Sequence, residues 1–195
     1  MKLRWILALM LGLTLVIVQQ SVSADKEEFK ASCPLSGAPA KAESSVNYKG
    51  GKVFFCCDNC PKKFTASPEK FAAKAHHQML STGQAVQVAC PISGRKLNKE
   101  QTVDIGGVKV AFCCGNCKKK AEESDEAVAL LADFDKCCTA QTKCPVSDKP
   151  INPESSVEHD GKKVYFCCKG CPGAFTANPE KFISKLPQFA EPEKE

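Results

Sequence analysis

Short alternating strands and brief apolar helices recur along this chain with Gly-rich turns between them. Ser45-Val46-Asn47-Tyr48 and Lys52-Val53-Phe54-Phe55 flank Gly50-Gly51. This is the pattern of a β-hairpin, with glycine supplying the positive φ of the turn. Val157-Glu158-His159, Gly161 and Val164-Tyr165-Phe166 repeat it. Seven residues beyond each hairpin's last cysteine comes a helix-start signal: Ser67-Pro68-Glu69, Ser124-Asp125-Glu126 or Asn178-Pro179-Glu180. Proline suits the first helical position, and acids suit the positive end of the helix dipole. Apolar residues then follow at helical intervals: Phe71, Ala75 and Met79; Ala127, Leu130, Leu131 and Phe134; Phe182 and Leu186. The predicted class is α+β, built from three tandem modules of one hairpin and one helix.

The repeat is strict in its cysteines. Cys33, Cys90 and Cys144 each open a unit as Cys-Pro, and after 22 intervening residues come Cys56, Cys113 and Cys167. Cys57, Cys114 and Cys168 follow directly, and Cys60, Cys117 and Cys171 close the pattern. Residues 33–71 and 144–182 align over 39 positions without a gap, with 23 identities. The middle unit is diverged: it lacks the proline after its last cysteine, and Ala121 stands where the others have Phe64 and Phe175. The predicted modules are residues 33–80, 90–136 and 144–187, semi-independent as in repeat arrays. Blocks of about 40 residues bury too little apolar surface to stand without a cross-link.

The start of the chain predicts a signal peptide over residues 1–24. Lys2 and Arg4 precede an apolar run from Trp5 to Val18, and Val22-Ser23-Ala24 is a small-residue cleavage site. The run is short for a bilayer span, so no stable membrane anchor is expected after cleavage near Ala24, and the product is periplasmic or extracellular. Removing Lys2 and Arg4 lowers the formal charge from +5 to +3. That balance gives no case for a nucleic-acid partner, and Lys118-Lys119-Lys120 reads as a solvated helix start. All 14 cysteines remain, about 8% of the residues left.

Thiolates are soft donors that favour Zn²⁺, Cu⁺ and related ions, and structural metal sites draw ligands from two short elements far apart in sequence. The Cys-Pro loop supplies one donor, and the turn after the hairpin supplies two or three. Cys56 and Cys60 share a face if the chain enters a helical turn, whereas Cys57 and Cys60 form the alternative knuckle. Both arrangements stay open. Where a zinc ribbon carries a second loop cysteine, this chain has Ser36, Ser93 and Ser147. With the vicinal thiol each site is a closed set of four; without it, three thiolates leave one side open. The main rival is a disulfide-stapled exported scaffold, because exported compartments oxidise thiols. A thiol redox role is weaker, since Cys-x-x-Cys here follows a hairpin and not a βαβ unit. Cys137-Cys138 lies between units two and three as extra donors, a transfer pair or a disulfide. His76-His77 reads as a solvent-facing pair, with metal ligation the sharper alternative, and His159 as a surface residue.

Three strings together, namely Cys-Pro-Leu-Ser-Gly at 33–37, Gly-Lys-Val-Phe-Phe-Cys-Cys-Asp-Asn-Cys at 51–60 and Ser-Pro-Glu-Lys-Phe at 67–71, resemble the YHS domain. The cysteine spacing also resembles the related TRASH domain. The resemblance covers about 33–75, 90–134 and 144–186, weakest in the second unit. It implies treble-clef-like metal-binding fingers in heavy-metal sensing, trafficking or resistance. It implies Cys33, Cys56, Cys60 and their equivalents as ligands for zinc or copper, about one ion per module. A metal transporter or chaperone is the expected partner. An exported protein cannot regulate transcription at DNA, so a non-enzymatic role in metal buffering or delivery is expected.

Overall fold

The computed structural model describes residues 30–189 and is a mixed α+β structure of small antiparallel hairpins and short helices. The predicted signal peptide lies outside the described residues. Among the described residues no helix is long and apolar enough to cross a membrane.

A hairpin follows the Cys-Pro loop in each unit: β1 (Lys41–Tyr48) with β2 (Gly51–Phe55), β4 (Asn98–Ile105) with β5 (Val108–Phe112), and β7 (Asn152–His159) with β8 (Lys162–Phe166). The pairs Tyr48↔Gly51, Ile105↔Val108 and His159↔Lys162 close two-residue turns. Both turn residues have positive φ in each: Lys49 and Gly50, Gly106 and Gly107, Asp160 and Gly161. Such turns match the twist of the flanking strands. In unit one the turn is therefore Lys49-Gly50 and not the expected Gly50-Gly51. Gly51 belongs to β2, where an added Cβ would lie 2.8 Å from the Met79 Cε. Every hairpin carries the same irregularity: Lys41 pairs with Phe55, yet the next pair is Ser45 with Phe54. The bulged residues Ser44 and Ser155 are buried, and their hydroxyls donate to the carbonyls of Cys57 at 3.4 Å and Cys168 at 3.0 Å.

The helices depart from expectation. A helix begins at or just before the last cysteine, as α1 (Asn59–Ala66), α3 (Gly115–Glu122) and α5 (Cys171–Ala177). Pro61 and Pro172 sit in the first turn, where the missing N–H has no intrahelical partner to lose. The predicted helix starts open a second segment instead. In unit one a 3₁₀ turn over Pro68–Phe71 leads into α2 (Ala72–Ser81). In unit two a 3₁₀ turn over Ala127–Leu131 precedes α4 (Phe134–Cys137), and unit three has only α6 (Glu180–Ile183) and a 3₁₀ turn over Pro187–Phe189. The linkers pair as two short antiparallel strands, β3 (Val86–Gln87) and β6 (Cys138–Thr139).

Packing divides the molecule in two. Units one and two share one apolar core, including Val53, Phe55, Phe64, Met79, Phe112 and Leu131, while Val164, Phe166, Phe175 and Leu186 form a second core in unit three. The first two units are thus one packing body. His76 lies on their seam and is 1% exposed, which corrects the solvent-facing reading. Its Nδ1–H donates to the Leu131 carbonyl at 2.7 Å, and its Nε2, 3.2 Å away, can accept from the Tyr48 hydroxyl. The ring stacks on Tyr48 and packs against Phe134. Burial holds it below the ordinary histidine range, so it stays neutral. His77 Nε2–H donates to the Ile105 carbonyl at 2.7 Å. These contacts account for the histidines as stitches between units. His159 takes the place of Tyr48: its ring meets Phe175 edge-on at 5.3 Å, as Tyr48 meets Phe64 at 5.1 Å.

This division is testable by mutation. Leu131→Ala should cost about 2–5 kcal/mol and speed hydrogen exchange in β2 and β5 while sparing β8. Phe175→Ala should loosen unit three alone, at about 3–5 kcal/mol. Exchange followed by mass spectrometry reads both, and uniform loosening of all three units by either variant would overturn the two-core division.

Candidate metal centres

Each Cys-Pro loop is closed by two backbone hydrogen bonds. Gly37 N–H donates to the Cys33 carbonyl at 2.8 Å, and Cys33 N–H donates to the Ala38 carbonyl at 2.8 Å. Cys90 and Cys144 make the same pair of bonds with Gly94 and Arg95, and with Asp148 and Lys149. The fifth loop residue has positive φ in all three, at 74°, 69° and 57°; glycine fills two of the positions, and Asp148 the third, as a residue that tolerates this region. The loop leaves the Cys33, Cys90 and Cys144 thiols buried.

The other two donors come from one turn. Cys56 lies just past the end of β2, and Cys60 lies four residues on in the first turn of α1. Their Sγ atoms are 3.8 Å apart, and those of Cys113–Cys117 and Cys167–Cys171 are each 3.7 Å apart. The three Sγ atoms of Cys33, Cys56 and Cys60 all lie within 4.8 Å of one another, as do those of Cys90, Cys113 and Cys117, and of Cys144, Cys167 and Cys171. Four-coordinate zinc with sulfur at about 2.3 Å has sulfur–sulfur edges of about 3.8 Å. The strand-to-helix pairs already have that separation, so each cluster can hold one metal ion.

The loop serines face these sulfurs. Ser36 Oγ is 3.2 Å from Cys56 Sγ, and Ser93 and Ser147 lie 3.1 Å from Cys113 and Cys167. Burial works against ionising Cys33, but hydrogen bonds from the Ser36 hydroxyl and from backbone N–H groups outweigh it and bring its pKa down to about 6. The same balance brings Cys90 and Cys144 to about 7. Cys60, Cys117 and Cys171 are pushed up to about 12, by burial first and then by the neighbouring thiols. A cluster thus combines one readily ionised thiol with one that keeps its proton until a cation displaces it.

Of the twelve candidate ligands, nine form these clusters. Cys57, Cys114 and Cys168 are exposed and stand at the rim. Cys57 Sγ is 3.4 Å from Cys60, Cys114 Sγ is 3.7 Å from Cys113, and Cys168 Sγ is 3.6 Å from Cys171. Every one of the 14 cysteines is a free thiol. Cys137 and Cys138 are buried apart from the clusters with their sulfurs 3.3 Å apart, and the Cys137 S–H donates to the Asp133 carbonyl at 3.3 Å.

Three glutamines, not singled out by motif, hold the clusters in shape. Gln78 Oε1 accepts from Phe54 N–H at 2.7 Å, while its Nε2 donates to the carbonyls of Phe54 at 2.8 Å and Ser32 at 2.9 Å. Gln87 makes the same three bonds to Ala111 N–H, Ala111 C=O and Ala89 C=O. Gln141 does so with Tyr165 N–H, Tyr165 C=O and Lys143 C=O. Each amide joins the residue before the first cysteine to the residue two before the second. It also satisfies the free edge of a two-stranded sheet. Gln87 and Gln141 lie three residues before Cys90 and Cys144, a repeat visible in the sequence. Unit one has Lys30 at that position and uses Gln78 from α2 instead.

No family model, no curated protein and no solved structure matches the chain.

Replacing Gln141 by Leu leaves three buried or half-buried backbone groups unpaired, at about 1–3 kcal/mol per buried group. The two groups on buried Tyr165 alone should therefore cost about 2–6 kcal/mol in unit three, and the variant should hold an ion at Cys144, Cys167 and Cys171 more weakly. Denaturant unfolding and metal competition check this, the other two clusters serving as internal controls.

Proposed function

We propose that this chain is an exported, non-catalytic protein that binds a thiophilic heavy-metal ion, Zn²⁺ or Cu⁺, in each of three treble-clef-like modules. Its role on this reading is metal buffering, trafficking or resistance, with a metal transporter or chaperone as exchange partner. The observation that carries it is the threefold recurrence of one geometry: three sulfurs within 4.8 Å, drawn from the same loop, strand end and helix turn. The cysteine spacing supports membership of the YHS and TRASH family, and the leader pattern over residues 1–24 supports export. Three sulfurs mutually within 4.8 Å converge on one point, an arrangement that a disulfide, which joins two sulfurs, does not need. The strand-to-helix separations of 3.7–3.8 Å also suit a shared ion better than the 2.05 Å of an S–S bond.

The full chain, expressed with its leader and purified without oxygen, should carry three ions by native mass spectrometry and elemental analysis. Cys33→Ser, Cys90→Ser and Cys144→Ser should each remove one. Metal-free protein with fully oxidised cysteines would sink the proposal in favour of the disulfide scaffold.

Binding should also release protons. The Cys60, Cys117 and Cys171 thiols, at about 12, are protonated at neutral pH without metal and must ionise to bind. Affinity therefore rises with pH. Cys33 is ionised above about 6, and Cys90 and Cys144 above about 7. Below those values each ion displaces one further proton, so affinity falls more steeply with acidification. Competition titrations across pH 5–9 (roughly the range in which these thiols compete with protons) should show that change of slope.

A further inference from the structure

We propose that Cys57, Cys114 and Cys168 are hand-over thiols, through which each cluster exchanges its ion with an acceptor that presents paired thiolates. This rests on the metal-binding reading above and adds to it a route for the ion.

Three features of the structure converge on it. First, accessibility separates the thiols: Cys33 and Cys60 are buried, Cys56 is half-buried and Cys57 is exposed, and the order repeats in unit three. Unit two differs only in a half-buried Cys117. An approaching acceptor meets the vicinal sulfur first. Second, that sulfur lies 3.4–3.7 Å from a cluster sulfur in every unit, about one edge of a sulfur tetrahedron. At that separation the vicinal sulfur stands within reach of an ion held by the cluster. Third, its nearest cluster sulfur varies. Cys57 and Cys168 approach the last cysteine, whereas Cys114 approaches Cys113. The strand-to-helix edge of the cluster stays at 3.7–3.8 Å in all three units. A fixed fourth ligand would keep the same neighbour in every unit, as the strand-to-helix pair does; a sulfur whose neighbour differs between units suits transient coordination. The residues beside it, Asp58-Asn59, Gly115-Asn116 and Lys169-Gly170, are polar or small and leave its approach open.

The exchange is a ligand substitution with no redox change. The vicinal thiol gives its proton to water as its sulfur bonds the ion. The bond from the ion to the nearest cluster sulfur (Cys60, Cys113 or Cys171) breaks, and that sulfur takes up a proton. The acceptor's thiolates then replace the remaining protein sulfurs.

The test compares wild type with Cys57→Ser/Cys114→Ser/Cys168→Ser, both loaded anaerobically with Zn²⁺ and, separately, with Cu⁺. Transfer is timed to dithiothreitol in one arm and to a short Cys-x-x-Cys peptide in the other. The triple variant should keep three ions per chain, with affinity within about threefold of wild type, while transfer slows at least about tenfold in one or both arms. Slowing with the peptide alone assigns a polypeptide acceptor, and slowing in both arms a small dithiol as well; either supports the proposal. Unchanged rates in both arms overturn it. So does loss of ions or an affinity drop beyond about tenfold, which would make these thiols permanent fourth ligands. Wild type that binds no ion overturns the metal-binding reading itself and separates that failure from this one. Circular dichroism of the metal-free variant, matching wild type, verifies the fold.

Discussion

A single side-chain amide holds the two halves of every cysteine cluster together. The Cys-Pro loop and the strand that leads to the second cysteine are separated by more than twenty residues, and a two-stranded hairpin offers its outer edge no partner. Gln78, Gln87 and Gln141 supply one: a donor and an acceptor to the strand residue two before the second cysteine, and a donor to the carbonyl just before the first. The amide acts as one rung of a missing third strand. Chain-closure entropy otherwise opposes bringing these segments together. Once they are joined, the strand end and the helix turn place the remaining two sulfurs without further long-range order. The geometry is thus built by the polypeptide itself, and an ion entering it meets sulfurs already near their bonding separation.

The same economy explains why the units are not equivalent in packing. Unit one has the long second helix α2, and this helix serves three purposes: Gln78 closes the first cluster, Met79 fills the core, and His76 and His77 reach carbonyls of unit two. Unit two has given up the phenyl ring at Ala121 and leans on the shared core instead. Unit three keeps Phe175 and needs no neighbour for its core. Disturbance at the first cluster therefore has a direct mechanical path into the second. The third is joined through the linker strand β6 and the Gln141 that follows it.

Much of this was legible in the residues. The fixed cysteine offsets narrow each cluster to four thiols and leave Cys56 or Cys57 open as the partner of Cys60, a choice the structure makes in favour of Cys56, and alternation around Gly50 and Gly161 identifies two of the hairpins. Less was legible where a distant partner decides the outcome. His76 looks like a polar residue on a helix until the Leu131 carbonyl, 55 residues away, supplies its buried acceptor. The helix at Cys60 was hidden because the stronger cap signal, Ser67-Pro68-Glu69, lies beyond it; that signal starts a second segment, and its Ser67 side chain makes no capping bond. Gln78 could not be aligned with Gln87 and Gln141, since it reaches the same place from the opposite side in sequence. The role of the vicinal cysteines stayed open in the sequence, and the structure sets them apart by exposure and by their place outside the three-sulfur clusters.

The serine in each Cys-Pro loop bears on what kind of site this is. A cysteine at Ser36 would give a fourth sulfur from the Cys-Pro loop and close the coordination sphere around an ion. The serine hydroxyl instead contacts the second sulfur, at 3.1–3.2 Å in all three units, and favours the ionised form of the first. It supports the thiolates electrostatically without supplying a strong ligand. On the metal-binding reading, an ion held by three sulfurs keeps one coordination position for a further ligand, and the exposed thiol stands at the rim. A site meant only to stabilise a fold gains from closure, because slow release keeps the fold intact. An open position with an exposed thiol beside it suits an ion that arrives and leaves, and the same arrangement recurs in each of the three units.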